Sequence, residues 1–196
     1  DNCIAVAMIF AILADKTLVH PPLEAVFTVD EEVGMDGAAA LDCSDIKGRK
    51  LLNLDSEEEG VFTVSCAGGA RANCFIPAAR EGLCGEVCYQ VTLDGLLGGH
   101  SGGEINKGRG NANVLMARVL YAASLEMDGL RLCGICGGQF DNVICPKAEA
   151  VVAVPAESAE KFCSLIAQYC CVLQNEYAAS DARLRLTCCR AAEQPA

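Results

Sequence analysis

The stretch "CGEVCYQVTLDGLL", residues 84–97, sets Tyr89, Val91 and Leu93 in alternation with Gln90, Thr92 and Asp94. A period of two sends alternate side chains to opposite faces of a strand, so a strand covered on one face and solvated on the other is expected. Downstream, residues 110–127 read as a helix, with Val114, Leu115, Ala117, Arg118, Leu120 and Tyr121 mostly at helical spacing. Residues 130–136 and 148–154 read as strands. Pro155 opens a second helix that runs to about Asn175; a proline in the first turn loses no helical hydrogen bond. Residues 183–188 make a last strand. The resulting order, β-α-β-β-α-β, is ferredoxin-like.

Upstream of this stretch the pattern differs. Ile4, Ala7, Met8, Ala11 and Ile12 recur at helical spacing, predicting a helix over 2–14 with Asp1 near its start. His20-Pro21-Pro22 breaks the chain. Residues 23–29 read as a buried strand, 34–41 as a short helix, 50–54 as a strand ending at Asp55, and 61–66 as a third strand. Apolar strands linked by a helix imply an α/β arrangement, an incomplete and mainly parallel sheet with covered faces. Gly68-Gly69 marks the change of pattern, so the expected domains are 1–68 and 69–196. No internal repeat or low-complexity tract interrupts either part.

Composition narrows the function classes. The 196 residues are 52% hydrophobic, enough for a real core, and carry a net charge of -11. A nucleic-acid backbone is a poor partner for such a chain, because phosphate binding needs clustered Lys and Arg. The apolar run from Cys3 to Leu13 is too short to span a membrane. The 14 Cys lie in apolar runs such as Leu132-Cys133-Gly134-Ile135-Cys136 and Tyr169-Cys170-Cys171-Val172, and are read as reduced, buried thiols of a cytoplasmic protein. Cys133 and Cys136 form a CxxC, but no second CxxC follows and the chain holds only two His, so zinc is not expected there; three apart on a strand they face opposite sides, so no disulfide is expected either. The chain starts at Asp1 without an initiator Met and runs directly into a helical pattern, the look of a piece of a longer protein.

Four acidic positions stand out: Asp1, Glu31, Glu32 and Asp55. The last three fall at the carboxyl ends of expected strands, where ligands bind in parallel sheets. Carboxylates from separate elements can converge on divalent cations, and of two neighbouring Glu one can bind metal while the other handles a proton. An acidic loop in water is the other reading, and it is strong for the Glu run of "DSEEEG", 55–60. Spacing alone leaves the two readings open.

Five stretches together are more specific: "DNCIAVAM" at 1–8, "FTVDEEVGMDGA" at 27–38, "NLDSEEEG" at 53–60, "GGHSGGEINKGRGNAN" at 98–113 and "GGQFDNVICPKAEAVV" at 137–152. In this order they resemble the aminoacyl-histidine dipeptidases, within the zinc metallopeptidase family that includes carnosinases and peptidase T. The resemblance implies a two-Zn2+ site, other divalent cations being possible, that hydrolyses dipeptides, notably Xaa-His. It implies that Asp1 bridges the two metals, that Glu32 and Asp55 each bind one, and that Glu31 is the general base. It implies that residues 1–68 are part of a catalytic domain, and that 69–196 are the first half of a lid through which such proteins form homodimers. His100 and Asn142 match lid residues that contact substrate. His20 matches no ligand motif and reads as a loop residue.

The departures also matter. The family's upstream His-x-Asp motif and its C-terminal zinc His are not in this sequence, Cys3 stands where Gly is usual, and the second half of the lid is missing. The chain alone is therefore expected to be inactive. The alternatives are a non-catalytic dimerisation module and a deacylase or aminoacylase of the same family.

Overall fold

The structure, a computed structural model, describes residues 2–56, 58–66, 68, 70 and 72–191. It divides into two units, Asp1–Phe75 and Ile76–Ala196.

In the first unit the helix expected over 2–14 is present as α1, Cys3–Ala14. Asn2 caps it: its side-chain oxygen accepts a hydrogen bond from the Ala5 amide at 3.1 Å. The helix has no polar stripe, and Phe10 stacks on Phe27 with ring centroids 5.5 Å apart. The short helix expected over 34–41 is instead two single turns, α2 (Glu31–Gly34) and α3 (Asp36–Ala39).

The parallel sheet expected here is not present among the described residues. Among the described residues, 23–29, 50–54 and 61–66 have no strand partner. A strand exists only through a ladder of hydrogen bonds to a neighbouring strand, and among the described residues these segments have no such ladder. Glu24, expected inside a buried strand, is exposed and accepts hydrogen bonds from the Lys47 and Gly48 amides, which lower its pKa.

The second unit follows the ferredoxin-like order closely. Its strands β1 (Val87–Asp94), β3 (Arg131–Gly137), β5 (Ala148–Val154) and β6 (Arg185–Arg190) form one antiparallel sheet in the order β3-β5-β1-β6. The helices α4 (Ala112–Glu126) and α5 (Ala159–Glu176) connect them, a 3-10 turn at Ala156–Ser158 leading into α5. Alternation in β1 sends Val91 and Leu93 into the core beside Ala150, Ala148 and Leu186. There they meet Leu115, Met116 and Val119 of α4 and Phe162, Leu165 and Ile166 of α5.

A short ribbon the sequence did not announce, β2 (Gly99–His100) paired with β4 (Val143–Ile144), completes the unit. Asp181 is buried, and its carboxylate accepts hydrogen bonds from the Leu97 and Gly110 amides, at 2.8 and 2.9 Å, and from the Ser180 hydroxyl. It thereby ties the end of α5 to the segments on either side of the ribbon loop.

The cysteines correct one expectation. All are free thiols, but only Cys88 and Cys145 are buried, with Cys133, Cys170 and Cys188 half-buried and the others exposed. Cys3, Cys43, Cys66 and Cys74 lie in the first unit, where among the described residues only Ala5 is buried. Burial pushes Cys188 up to about 12, with help from the neighbouring Cys163. Among the described residues no helix is long and apolar enough to cross a membrane.

Candidate functional site

Glu31 and Glu32 occupy the turn α2, and both are exposed. The residues that flank this turn, Asp30 (φ 58°) and Met35 (φ 60°), are the non-glycine residues of left-handed backbone among those described. Aspartate tolerates that region and methionine visits it rarely, so the turn is bent at some conformational cost. The Met35 amide closes it by donating to the Asp30 carbonyl at 2.8 Å. Gly37 lets α3 approach Val29: a Cβ there would lie 2.5 Å from the Val29 carbonyl oxygen. The acidic pair is thus held on a short, sharply turned segment.

Asp55 is exposed, and its amide donates to the Asn53 side chain at 3.0 Å. Asn2 reaches the same segment, donating from Nδ2 to the Leu54 carbonyl at 2.7 Å. The start of α1 is therefore held beside the residue preceding Asp55. Asp1 lies outside the described residues. Among those described, no three His, Cys, Asp or Glu side chains stand together as a metal would require. The carboxylates Glu32 and Asp55 have the right chemistry for a divalent cation, but zinc prefers about four ligands including nitrogen or sulfur. The described residues alone do not fit a zinc pair. His20 is a loop residue whose Nδ1 pairs with the Pro21 carbonyl at 2.7 Å.

The second unit brings its two candidate residues together. His100 pairs with Val143 in the β2–β4 ribbon, and the Ser101 amide donates to the Asn142 carbonyl at 2.8 Å. The glycines around His100 are there for close approach. At Gly99, where φ is 129°, a Cβ would run into the Glu104 carboxylate and the Arg109 guanidinium. The His100 Nδ1 accepts hydrogen bonds from the Gly102 and Gly103 amides at 3.1 and 3.0 Å.

Glu104 accepts from the His100 amide at 3.0 Å and pairs with Lys107 at 2.6 Å and Arg109 at 3.2 Å. The Lys107 hydrogen bond and the His100 amide hold its pKa down at about 2. Arg109 in turn donates to the Gly98 carbonyl at 2.6 Å. Sequence reasoning missed Glu104 and Arg109. The one trace of them was their place inside the glycine-rich motif at 98–113.

This fold and this loop fit a class of domain. Residues 91–181 match the family described as "Peptidase dimerisation domain". The chain is also 43% identical over 187 residues to the cytosol non-specific dipeptidase of Escherichia coli (strain K12), covering 95% of this chain and 38% of that protein. Its structure is similar to the aminoacylhistidine dipeptidase of Vibrio alginolyticus, with a TM-score of 0.69 and 36% identity over 99% of this chain and 40% of the other. The resemblance to aminoacyl-histidine dipeptidases read from the five motifs is therefore shown, and the chain spans about two fifths of the length of these relatives.

Proposed function

We propose that this sequence is part of a zinc metallo-dipeptidase that hydrolyses dipeptides, notably Xaa-His, in the cytoplasm. The observation that carries the proposal is the 43% identity to a dipeptidase across nearly the whole chain, which includes both Glu31-Glu32 and the His100 loop. In this reading residues 1–68 are a portion of the catalytic domain and 69–196 the first half of its lid. Asp1, Glu32 and Asp55 would hold two Zn2+ together with further ligands elsewhere in the full-length protein, and bound zinc would supply a water of lowered pKa. Glu31 would be the base that takes a proton from that water and hands it to the leaving amine. His100 and Asn142 contact the dipeptide from the lid.

The match of residues 91–181 to a dimerisation domain supports a homodimer formed through the second unit. Sedimentation of the full-length protein tests that part: a monomer at micromolar concentration would remove it.

Three substitutions in the full-length protein test the chemistry. Glu31→Gln is expected to lower kcat by about 10²–10⁴ with zinc still bound, because an amide cannot take the proton. Glu32→Ala and Asp55→Ala are expected to lower zinc content. Zinc stoichiometry and Xaa-His hydrolysis are measured together. Near-normal turnover in Glu31→Gln means the base is another residue. The 196-residue chain alone is expected to hydrolyse no dipeptide and to bind zinc weakly.

A further inference from the structure

The loop around His100 leaves its imidazole one position for the proton. An amide nitrogen only donates, so the Gly102 and Gly103 amides require a lone pair on Nδ1. A neutral imidazole whose Nδ1 is engaged in this way carries its hydrogen on Nε2. His100 is exposed, and its Nε2 has no hydrogen-bond partner among the described residues.

The backbone on each side of the ring is also tied. Gly98 is held by Arg109, the His100 amide by Glu104, and the Ser101 amide by the Asn142 carbonyl. Glu104 is the hub, because the same carboxylate that receives the His100 amide is anchored by Lys107 and Arg109. Ion pairs still open to solvent, as these are, add little to stability. What this one does is orient an acceptor at the residue that carries the ring.

We infer that Glu104, backed by Arg109, is a positioning residue that holds His100 as its Nε2–H tautomer, so that the ring offers one N–H donor to a carbonyl or anionic oxygen of the substrate. The purpose of this arrangement rests on the proposed substrate contact of His100; its geometry does not.

Histidine labelled with ¹⁵N in the 196-residue chain gives two imidazoles, His20 and His100, separable with His20→Gln. At alkaline pH, His100 is expected to show the ring-nitrogen shifts of the Nε2–H tautomer; a dominant Nδ1–H form overturns the inference. Glu104→Ala is expected to give averaged shifts with the β1 and β5 amide resonances unmoved, and Glu104→Gln, which keeps an acceptor for the amide, to retain most of the original signature. An unchanged ring signature in Glu104→Ala overturns the positioning role.

In the full-length enzyme Glu104→Ala is expected to lower kcat about 10²-fold with KM within about twofold, and Glu104→Gln to recover most of the loss. Ring shifts that change while kcat does not would overturn the purpose assigned to the loop, and with it the reading of His100 as a substrate contact. Unchanged shifts remove the positioning role and leave that reading standing.

Discussion

Phe162 and Phe62 occupy the two units and have opposite surroundings. Phe162 is fully buried on α5, its ring 5.6 Å from that of Tyr89 on β1, whereas Phe62 is 92% exposed in a segment without a strand partner. The same contrast runs through both units. In the second, every strand of the main sheet is antiparallel, and two helices close one face over Val91, Leu93 and Val152. In the first, α1 has no polar stripe, yet Ile4, Met8 and Phe10 are exposed. A helix apolar all round is normally a buried one. An antiparallel sheet with two local helices can complete its core from one continuous stretch of chain. Covered parallel-type strands need neighbours on each side and cover on both faces, and the described residues of the first unit do not supply them.

Hydrogen exchange should separate the two units most widely. Amides of β1 and β5 are expected to exchange at least about 10³-fold more slowly than those of 23–29, 50–54 and 61–66, because only the former open with the global unfolding of a core. Equal protection in the two sets would mean that the first unit has a core of its own.

Side-chain deletions should separate them as well. Phe162→Ala is expected to destabilise the second unit by about 3–5 kcal/mol, through lost burial and the cavity left behind. Phe62→Ala is expected to stay within about 0.5 kcal/mol. Urea denaturation read at the second unit compares them; similar costs would contradict the contrast.

Asp181→Ala should fall between these, at about 2–3 kcal/mol, since it strips the Leu97 and Gly110 amides of their acceptor. A cost below about 0.5 kcal/mol would mean that water replaces the carboxylate.

The smallest effect is a local titration. The Glu104 carboxyl is held at about 2, below its ordinary 4.5. Its ordering contribution is therefore complete above about 4.5 and lost as pH falls toward about 2. The ¹³C shift of the Glu104 carboxyl should titrate near the lower value. A midpoint near 4.5 would show that Lys107 and the His100 amide do not hold it in solution.

Much of the second unit was legible in advance, because its signals are local. The alternation of Tyr89, Val91 and Leu93 and the proline at 155 placed β1 and the start of the second helix within a few residues. The first unit misled for the opposite reason. An apolar run such as 23–29 records what the segment can be covered by, and the partner that would pair with it is not a property of the run. The cysteines repeat the lesson: Cys88, in β1, is buried, while Cys66, in an equally apolar run, is exposed.

The candidate site divides along the same line. Glu31 and Glu32 are neighbours by sequence and stood out with Asp1 and Asp55 by their place at the ends of expected elements, whereas only the motif resemblance singled out His100 and Asn142. The pairing of β2 with β4, which sets His100 beside Val143 and binds Ser101 to the Asn142 carbonyl, joins residues some forty positions apart and follows from no local pattern. The order of the main strands and helices in the second unit, and the adjacency of Glu31 and Glu32, could be read from the chain alone, because periodicity and motif are written residue by residue. Which strands find partners, which thiols are covered, and the convergence of Glu104 and Arg109 on the backbone around His100 became visible in the folded chain. Those outcomes depend on hydrogen bonds and packing between distant segments, and no single segment encodes them.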